Sequence, residues 1–273
     1  MELTAHEIGI IVNPALDRIA AGHMSVESQN NVRAQAARLH YPQTRKSVLR
    51  SFVWPFATRR ANLHRIYTMT LHDAPQPEHF EAGDTITGAD SDETATILSV
   101  LRQDGTQYEI VDQSGDFDDG EVLTDGDNSI DCDEGFPVVE MNTPSHKWTY
   151  EYALPDDGLR LVDVYQDDNT GYPSDRWEIE GKKLLTYYDT VDVQYVKDVI
   201  DPTQFDDLFA ELLILRLAMK LVNPLAGTSA EAFKAEMREE LRTIEYKAAC
   251  VADQENNTTG RFNWALARYG VYG

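Results

Sequence analysis

Few cysteines, few basic residues and no long apolar run limit what this chain can be. Its 273 residues include only 2 cysteines, which suffice for neither a disulfide framework nor a zinc knuckle, so we expect a reducing compartment. No apolar stretch approaches the roughly 20 residues that span a bilayer, and the first residues lack the basic and apolar regions of a secretion signal. We therefore predict a soluble folded protein that buries its own core.

Positive charge is scarce, and the deficit lies in one segment. Lys and Arg number 24 against 47 Asp and Glu, which gives a net charge of -23. Between Asp73 and Glu140, 20 carboxylates stand against Arg102 alone, so this segment carries -19 and the rest of the chain -4. Because such a surface repels phosphate, the charge argues against nucleic-acid binding through a basic patch.

Motifs for catalysis and metal binding are also missing. The sequence has no G-x-S-x-G, Walker, G-x-G-x-x-G or H-E-x-x-H pattern, and its scattered histidines are interpreted as lone surface residues. The acidic stretch "GDFDDGEVLTDGDNSIDCDEG" at residues 115–135 fails the EF-hand template, since Ile130 replaces the required Gly and Phe136 the required Glu. We predict no enzyme activity, no cofactor and no structural metal, with casual divalent-ion binding as an alternative.

Helical patterns occupy both ends of the sequence. Within residues 5–50, a capping box at residues 4–7 opens a first helix, which Pro14 either kinks or restarts. Ser25 and Pro42 predict the starts of a second and a third helix.

Between residues 202 and 254 the pattern predicts two longer helices. Asp201 and Pro202 are typical of the start of the first, which is apolar around most of its circumference and should be covered on several sides. The second is capped by "TSAE" at residues 228–231 and has one apolar stripe, made of Phe233, Met237, Leu241, Ile244, Ala248 and Val251.

The acidic segment, residues 73–145, reads as a small all-β module. Short runs such as "DTITG", "TATILSVL", "QYEIVD" and "EVLT" alternate with turn residues, although the high charge leaves disorder as an alternative. The pattern F-x-x-G-[DE]-x-[IL]-T occurs at residues 80–87 and again at 117–124. It predicts a buried Phe, a Gly turn and a strand in each copy.

Further strands and an aromatic tail complete the prediction. Residues 59–71 form a weak β pattern, and residues 148–199 contain five short strands of an antiparallel sheet or barrel. The fold class is therefore α+β, a helical bundle plus an antiparallel β region with an inserted acidic all-β domain. Residues 255–273 lack periodicity, and we predict that they dock on a partner or neighbouring subunit through Arg261, Phe262, Trp264, Arg268, Tyr269 and Tyr272.

Several stretches, taken in order, resemble the podovirus tail tubular protein A family of phage head-tail adaptors. The longest are "YPQTRKSVLRSFVWPFATRRANL", "YEYALPDDGLRLVDV" and "WEIEGKKLLTYYDTVDVQYVKDVIDPTQFDDLFAELLILRLAMKL". The resemblance assigns residues 1–72 and 146–273 to an adaptor core and leaves 73–145 as an insert that a minimal family member lacks. Its most specific positions are Trp54, Phe56, Tyr152, Leu154, Pro155, Leu159, Arg160, Phe205 and Phe209.

This resemblance implies a structural virion protein. Its subunits would be assembled in the host cytoplasm into a homo-oligomeric ring, a dodecamer in this family, at the neck of the virion. The ring would join the portal protein to the tail nozzle, and genome DNA would pass through its lumen without specific binding or any membrane partner. The insert would lie on the outer rim, where it could contact tail fibres. The alternative hypothesis is a monomer whose β module binds an ion or a glycan on a helical support.

Overall fold

The computed structural model describes residues 2–26, 31–72, 80–102, 105–144, 147–166, 176–227 and 230–255. Over these residues the chain forms four α-helices and three antiparallel sheets, which confirms the predicted α+β class. It divides into two compact units. The helical unit comprises Met1–Arg60, Asp157–Val162 and Gln194–Gly273, and the β unit comprises Ala61–Asp156 and Asp163–Val193.

Net charge separates with these two units. Counting Lys and Arg against Asp and Glu gives +1 for the helical unit and -24 for the β unit, which together make the total of -23. The β unit therefore carries all of the excess negative charge. Its surface repels anions and attracts cations over distances of about 8 Å at physiological ionic strength.

The first helical segment begins as predicted. Its capping box is reciprocal, because the Glu7 N–H donates to Thr4 Oγ1 at 3.2 Å and the Thr4 N–H donates to Glu7 Oε2 at 2.7 Å. A π-helical turn, Glu7–Val12, then leads into α1, Asn13–Asp17. Pro14 lies in the first turn of α1, and because Val12 and Asn13 keep right-handed helical angles, α1 continues the π-helical turn without a break.

One predicted helix start is wrong, and another is not tested. Helix α2, Val32–Ser51, begins after Asn31, whose Oδ1 accepts from the Ala34 N–H at 2.9 Å. Residues 27–30, which follow the predicted start at Ser25, lie outside the described residues, so that start stays a prediction. Pro42 lies inside α2 and starts no third helix. Burial of one face of α2 against the helical core outweighs the single hydrogen bond that Pro42 removes.

Helix α3, Asp207–Leu225, contacts α1, α2 and α4, as its broad apolar surface predicts. Its start differs from the prediction, because Asp201 caps a separate 3-10 turn, Pro202–Gln204. The cap of α3 is Asp206, which accepts the N–H groups of Leu208 at 2.9 Å and Phe209 at 3.4 Å. Asp206 is the cap because its carboxylate accepts hydrogen bonds from two N–H groups of the first turn that would otherwise be unpaired.

Helix α4, Ala230–Glu255, packs on α3 with the predicted stripe. Met237, Ile244 and Ala248 are buried, whereas Val251 at the end of the stripe is exposed. Among the described residues, no helix is both long and apolar enough to cross a membrane.

The acidic segment belongs to a seven-stranded sheet of the β unit. The strand order is β7-β6-β3-β4-β5-β2-β8. The bounds are β2 Tyr67–Thr70, β3 Thr85–Gly88, β4 Thr94–Val100, β5 Gln107–Val111, β6 Val122–Thr124, β7 Ser129–Asp131 and β8 Val138–Met141. The sequence predicted β3 to β6 and missed β7 and β8, which are short and interrupted by charged residues.

Strand β2 lies between β5 and β8, so the sheet spans both sides of the proposed domain boundary at residue 73. The assignment of residues 73–145 to an inserted domain stays a prediction. One apolar core serves the sheet and includes Met69 and Leu71 before that boundary as well as residues after it, namely Phe80, Ile86, Ala95, Ile97, Tyr108, Ile110, Leu123, Ile130 and Cys132.

The two copies of the repeat form the same turn and pair with each other. Gly83 and Gly120 have φ angles of 101° and 74°, a region in which glycine is favoured. In each copy the carboxylate of the fifth residue accepts the N–H of the second, at 2.6 Å in the first copy and 2.7 Å in the second. The strands that follow, β3 and β6, are antiparallel neighbours with Thr87 opposite Thr124.

The five strands predicted over residues 148–199 are confirmed, but they divide between two sheets. One has the order β11-β12-β9, with β9 Tyr150–Ala153, β11 Trp177–Glu180 and β12 Lys183–Thr186. The other has the order β1-β13-β10, with β1 Thr58–Asn62, β10 Gly158–Gln166 and β13 Val191–Lys197. The pattern of a strand does not show which other strand it pairs with. Here β13 pairs with β1, which lies more than a hundred residues earlier in the chain.

Candidate functional site

An aromatic cluster in the helical unit unites the most specific stretches of the family resemblance. Trp54 and Phe56 flank Pro55 in the 3-10 turn that follows α2, and Phe205 and Phe209 stand one turn apart at the start of α3. Ring centroids lie 5.1 Å apart for Trp54 and Phe209, 5.0 Å for Phe56 and Phe209, and 5.9 Å for Phe56 and Phe205. The edge-to-face pairs among them are favourable beyond the area they bury.

Trp54 is the centre of this cluster. Only 2% of it is exposed, Phe52 packs edge-on at 5.6 Å, and its indole Nε1–H donates to the Val48 carbonyl of α2 at 3.0 Å. The hydrogen bond satisfies the one polar atom of a buried ring. Trp54 therefore joins the end of α2 to the start of α3.

Leu159 and Arg160 join the same unit through the end of α2. The Arg160 guanidinium donates to the Arg50 carbonyl at 2.9 Å, and the Arg50 Nε–H donates to the Leu159 carbonyl at 3.1 Å. The positive charge of Arg160 at the last turn of α2 interacts favourably with the negative end of the helix dipole. Burial lowers the pKa of Arg160, yet arginine stays protonated across the physiological range.

The other family-motif residues, Tyr152, Leu154 and Pro155, belong to the β unit. Tyr152 is 1% exposed, and its hydroxyl donates to the Tyr188 carbonyl at 2.8 Å while it accepts from Arg65 Nε at 3.3 Å. Burial, the main cause, raises the pKa of Tyr152. The nine motif positions thus serve two structural centres, and the structure does not bring all of them to one site.

The predicted partner-binding residues, Arg261, Phe262, Trp264, Arg268, Tyr269 and Tyr272, lie outside the described residues. Their docking role stays a prediction.

The acidic stretch at 115–135 uses its carboxylates within the fold. Glu121 is 1% exposed, and its Oε2 accepts the N–H groups of Asp90 and Ser91, each at 3.1 Å, while its Oε1 accepts that of Asp118 at 2.7 Å. Burial opposes ionisation, but these bonds, with one from the Ser91 hydroxyl, outweigh it and lower the pKa of Glu121. Glu121 therefore fixes the 89–91 turn to the second repeat.

Asp125 closes the hairpin between β6 and β7. Its Oδ1 accepts the N–H groups of Asp127 at 2.8 Å and Asn128 at 2.6 Å, and the bonds from Asn128 are the main cause that lowers its pKa. Such a side-chain-to-backbone turn is what Asp commonly forms between strands. Across the described ranges, no three His, Cys, Asp or Glu side chains are grouped so that they could hold a metal ion.

Two further titratable residues of the β unit are buried. Burial and the neighbouring carboxylates raise the pKa of Cys132 to about 12, which disfavours the thiolate that a nucleophile requires. His72 was expected at the surface, but only 3% of its side chain is exposed and its Nδ1 lies 3.1 Å from Asp133 Oδ2. His72 is buried together with the apolar residues around the short β2 strand. The residues next to it in the sequence do not predict this burial.

A polar cluster within the β unit ties its two sheets together. Lys183 of β12 places its Nζ 2.6 Å from Glu109 of β5 and 3.1 Å from Glu151 of β9. Glu109 also accepts from Ser99 at 2.7 Å and from Asn142 at 3.2 Å. Burial works against the charge, yet the bonds from Lys183, Ser99 and Asn142 prevail and lower the pKa of Glu109. The cluster joins residues of the two sheets within the β unit through charge-assisted hydrogen bonds.

Replacing Lys183 by methionine is expected to lower the free energy of unfolding by about 1–2 kcal/mol, discounted for partial exposure. The physical reason is that Glu109, whose side chain is 10% exposed, keeps its charge but loses its cation. Lys182→Met is the matched control, because Lys182 is 83% exposed and pairs with an exposed Asp156. Urea unfolding measures both variants, and equal losses would contradict the assigned role of Lys183.

A shallow cleft in the β unit was not predicted from the sequence. It has a volume of about 280 Å³ and is lined by Leu63, His64, Arg65, Tyr67, Asp112, Gln113, Tyr152, Asp189 and Thr190. His64 Nδ1 lies 2.9 Å from Asp112 Oδ1, and both side chains are largely exposed. The lining residues come from four separate segments of the chain, so no local motif points to them.

Comparison with known proteins assigns no family to this chain. No model of a protein family matches it, and no curated protein matches it.

Proposed function

We propose that the protein is a structural subunit of a phage virion, a head-to-tail adaptor that assembles as a ring between the portal and the tail nozzle. The observation that carries the proposal is the convergence of the resembling stretches. Six of their nine most specific residues, Trp54, Phe56, Leu159, Arg160, Phe205 and Phe209, lie in the helical unit. Five of these six pack on its core, and Arg160 bonds the end of α2.

The physical character of the chain supports an assembly role over catalysis. Glu121 and Asp125, the two described carboxylates of the acidic stretch with the most hydrogen bonds, accept from backbone N–H groups. Cys132 is held as a thiol. The charge of -24 on the β unit and the nearly neutral charge of the helical unit would let DNA pass without retaining it. Subunits of a ring complete one another's surfaces, so the aromatic tail at residues 255–273 is the proposed contact with portal or neighbour.

The experiment that tests the proposal is imaging of the chain alone and with a portal protein of the same virus. Negative-stain microscopy and light scattering should show the subunits added to the portal as a ring, whether or not they are monomeric alone, because a portal can template the assembly. A chain that stays monomeric in the presence of a portal would contradict the adaptor function.

The tail is tested separately in the same assay. Joint replacement of Phe262, Trp264 and Tyr269 by alanine is expected to lower occupancy of the portal at least about tenfold, since buried aromatic anchors dominate interface energies. Joint replacement of Asn256 and Asn257 by alanine is the control in the same segment. Normal attachment of the triple-alanine variant would refute tail docking through these three side chains while leaving the ring itself in place.

A further inference from the structure

We propose that the cleft of the β unit binds one ring of a neutral saccharide. The inference goes beyond the adaptor function and does not depend on ring assembly. It rests on the size of the cleft, the state of its charged groups and one unusual backbone conformation.

Asp112 and His64 form the polar wall of the cleft. Asp112 has a φ angle of 55°, a left-handed conformation that is uncommon outside glycine but that aspartate adopts more readily than most residues. In this conformation its carboxylate lies 2.9 Å from His64 Nδ1. A carboxylate only accepts hydrogen bonds, so Nδ1 carries the proton, and in the neutral ring Nε2 is an acceptor for a ligand hydroxyl.

The cleft is not built for an anion. Arg65 lines it, but its guanidinium donates to the Tyr152 hydroxyl at 3.3 Å, to the Asp189 carbonyl at 2.6 Å and to Met141 Sδ at 3.6 Å, and it also pairs with the Asp189 carboxylate. These contacts occupy four of the five guanidinium N–H donors, so no pair of donors is left for bidentate recognition of a phosphate or carboxylate. The charge of -24 on the β unit repels anions as well.

A cation fits no better. Each of the two carboxylates in the lining, Asp112 and Asp189, already faces a nitrogen partner of the protein, His64 and Arg65. The remaining polar groups are neutral: the amide of Gln113, which spends one N–H on the Gly115 carbonyl at 2.7 Å, and the hydroxyls of Tyr67 and Thr190. Neutral donors and acceptors can pair with the hydroxyl groups of a sugar.

The volume of the cleft and the side chain of Tyr67 limit the ligand that can bind. About 280 Å³ is at the lower limit of ligand pockets and accommodates a single six-membered ring with its substituents. Tyr67 lines the cleft and also packs against the apolar core of the sheet, so it supplies a partly buried apolar body and a polar hydroxyl tip. The ligand class is thus a neutral hexose or N-acetylhexosamine, free or at the end of a glycan chain.

Titration of the full chain with glucose, galactose, mannose and N-acetylglucosamine, followed by ligand-observed NMR and calorimetry, tests the proposal. At least one of these sugars should bind saturably with a Kd of about 1–10 mM, whereas glucuronate should bind at least about tenfold more weakly because of its charge. If an oligosaccharide that ends in the same sugar binds more strongly than the free sugar, the natural ligand is a glycan chain. If the two bind equally, the natural ligand is the free sugar. Either result supports the cleft.

Variants locate the binding. His64→Ala and Gln113→Ala should each weaken binding about tenfold, the loss of one good hydrogen bond, without a change in Tm because both side chains lie at the surface of the cleft. His23→Ala is the matched control, since His23 forms a similarly exposed pair with Asp17 at 2.7 Å in the helical unit. The proposal is overturned if none of the four sugars saturates, if glucuronate binds equally well, or if both cleft variants bind like the unaltered chain.

Discussion

Replacement of Trp54 by alanine is expected to lower the free energy of unfolding of the helical unit by about 3–5 kcal/mol. The change removes a ring that is 2% exposed, ends its edge-to-face contacts with Phe52 and Phe209, and leaves the Val48 carbonyl without its indole donor. The surrounding side chains cannot fill the whole space that the ring leaves. The free-energy cost of the remaining cavity therefore adds to the lost transfer free energy of the side chain. Urea unfolding followed by circular dichroism measures the loss.

Hydrogen exchange read peptide by peptide locates the effect of this variant. Amides in α2 and α3, which Trp54 connects, should lose protection first, while those of the seven-stranded sheet keep theirs. Trp148→Ala is the matched control, because Trp148 is half-buried and its indole packs mainly on Tyr187 at 4.8 Å, within the β unit. Losses of equal size in the two variants would contradict the central role given to the aromatic cluster.

Glu121→Gln is expected to destabilise the β unit by about 3 kcal/mol. The native carboxylate accepts from backbone donors with both oxygens, two of them on Oε2 and one on Oε1. A glutamine amide has one acceptor, so its NH₂ group would face N–H donors on one side. Asp84→Asn is the control at the equivalent position of the first repeat, where the carboxylate accepts a single such bond from Glu81 and is partly exposed. It should cost under about 1 kcal/mol.

The difference between the unaltered chain and Glu121→Gln should depend on pH in a defined direction. The folded protein lowers the pKa of Glu121 below its ordinary value. A carboxylate of this kind contributes all its stability above its unfolded pKa, about 4.3, and loses that contribution as the pH falls through its lower folded pKa. The gap in unfolding free energy should therefore be constant near pH 7 and shrink below about pH 4. A gap that widens on acidification would contradict the assigned bonds.

Local patterns in the sequence predicted much of the secondary structure. The capping box at Thr4 and Glu7, the turns at Gly83 and Gly120 and the apolar surface of α3 all depend on residues within a few positions of one another. The error at Pro42 arose where packing overrode an equally local signal. Pro42 is tolerated inside α2 because the helix face around it is buried, and that burial is not visible in the residues beside it.

The candidate sites were less predictable, for a physical reason. The family resemblance named Trp54, Phe56, Phe205 and Phe209, but their mutual contacts cross about 150 residues of chain. His64, Asp112 and Gln113 were not predicted at all, since the cleft exists only where a loop after β1 meets the end of β5. Such groups come together through sheet pairing, and one sequence carries no direct signal of which strands pair.

By itself the sequence determined the α+β class, the acidic charge and the twofold repeat, because composition and period are properties of neighbouring residues. Only the tertiary structure decided that the two repeat copies pair as β3 and β6, that Glu121 is buried against three backbone N–H groups, and that all of the excess negative charge falls in one unit. Those outcomes depend on contacts between distant residues, whose free energy is gained when the whole core closes and not in any single segment.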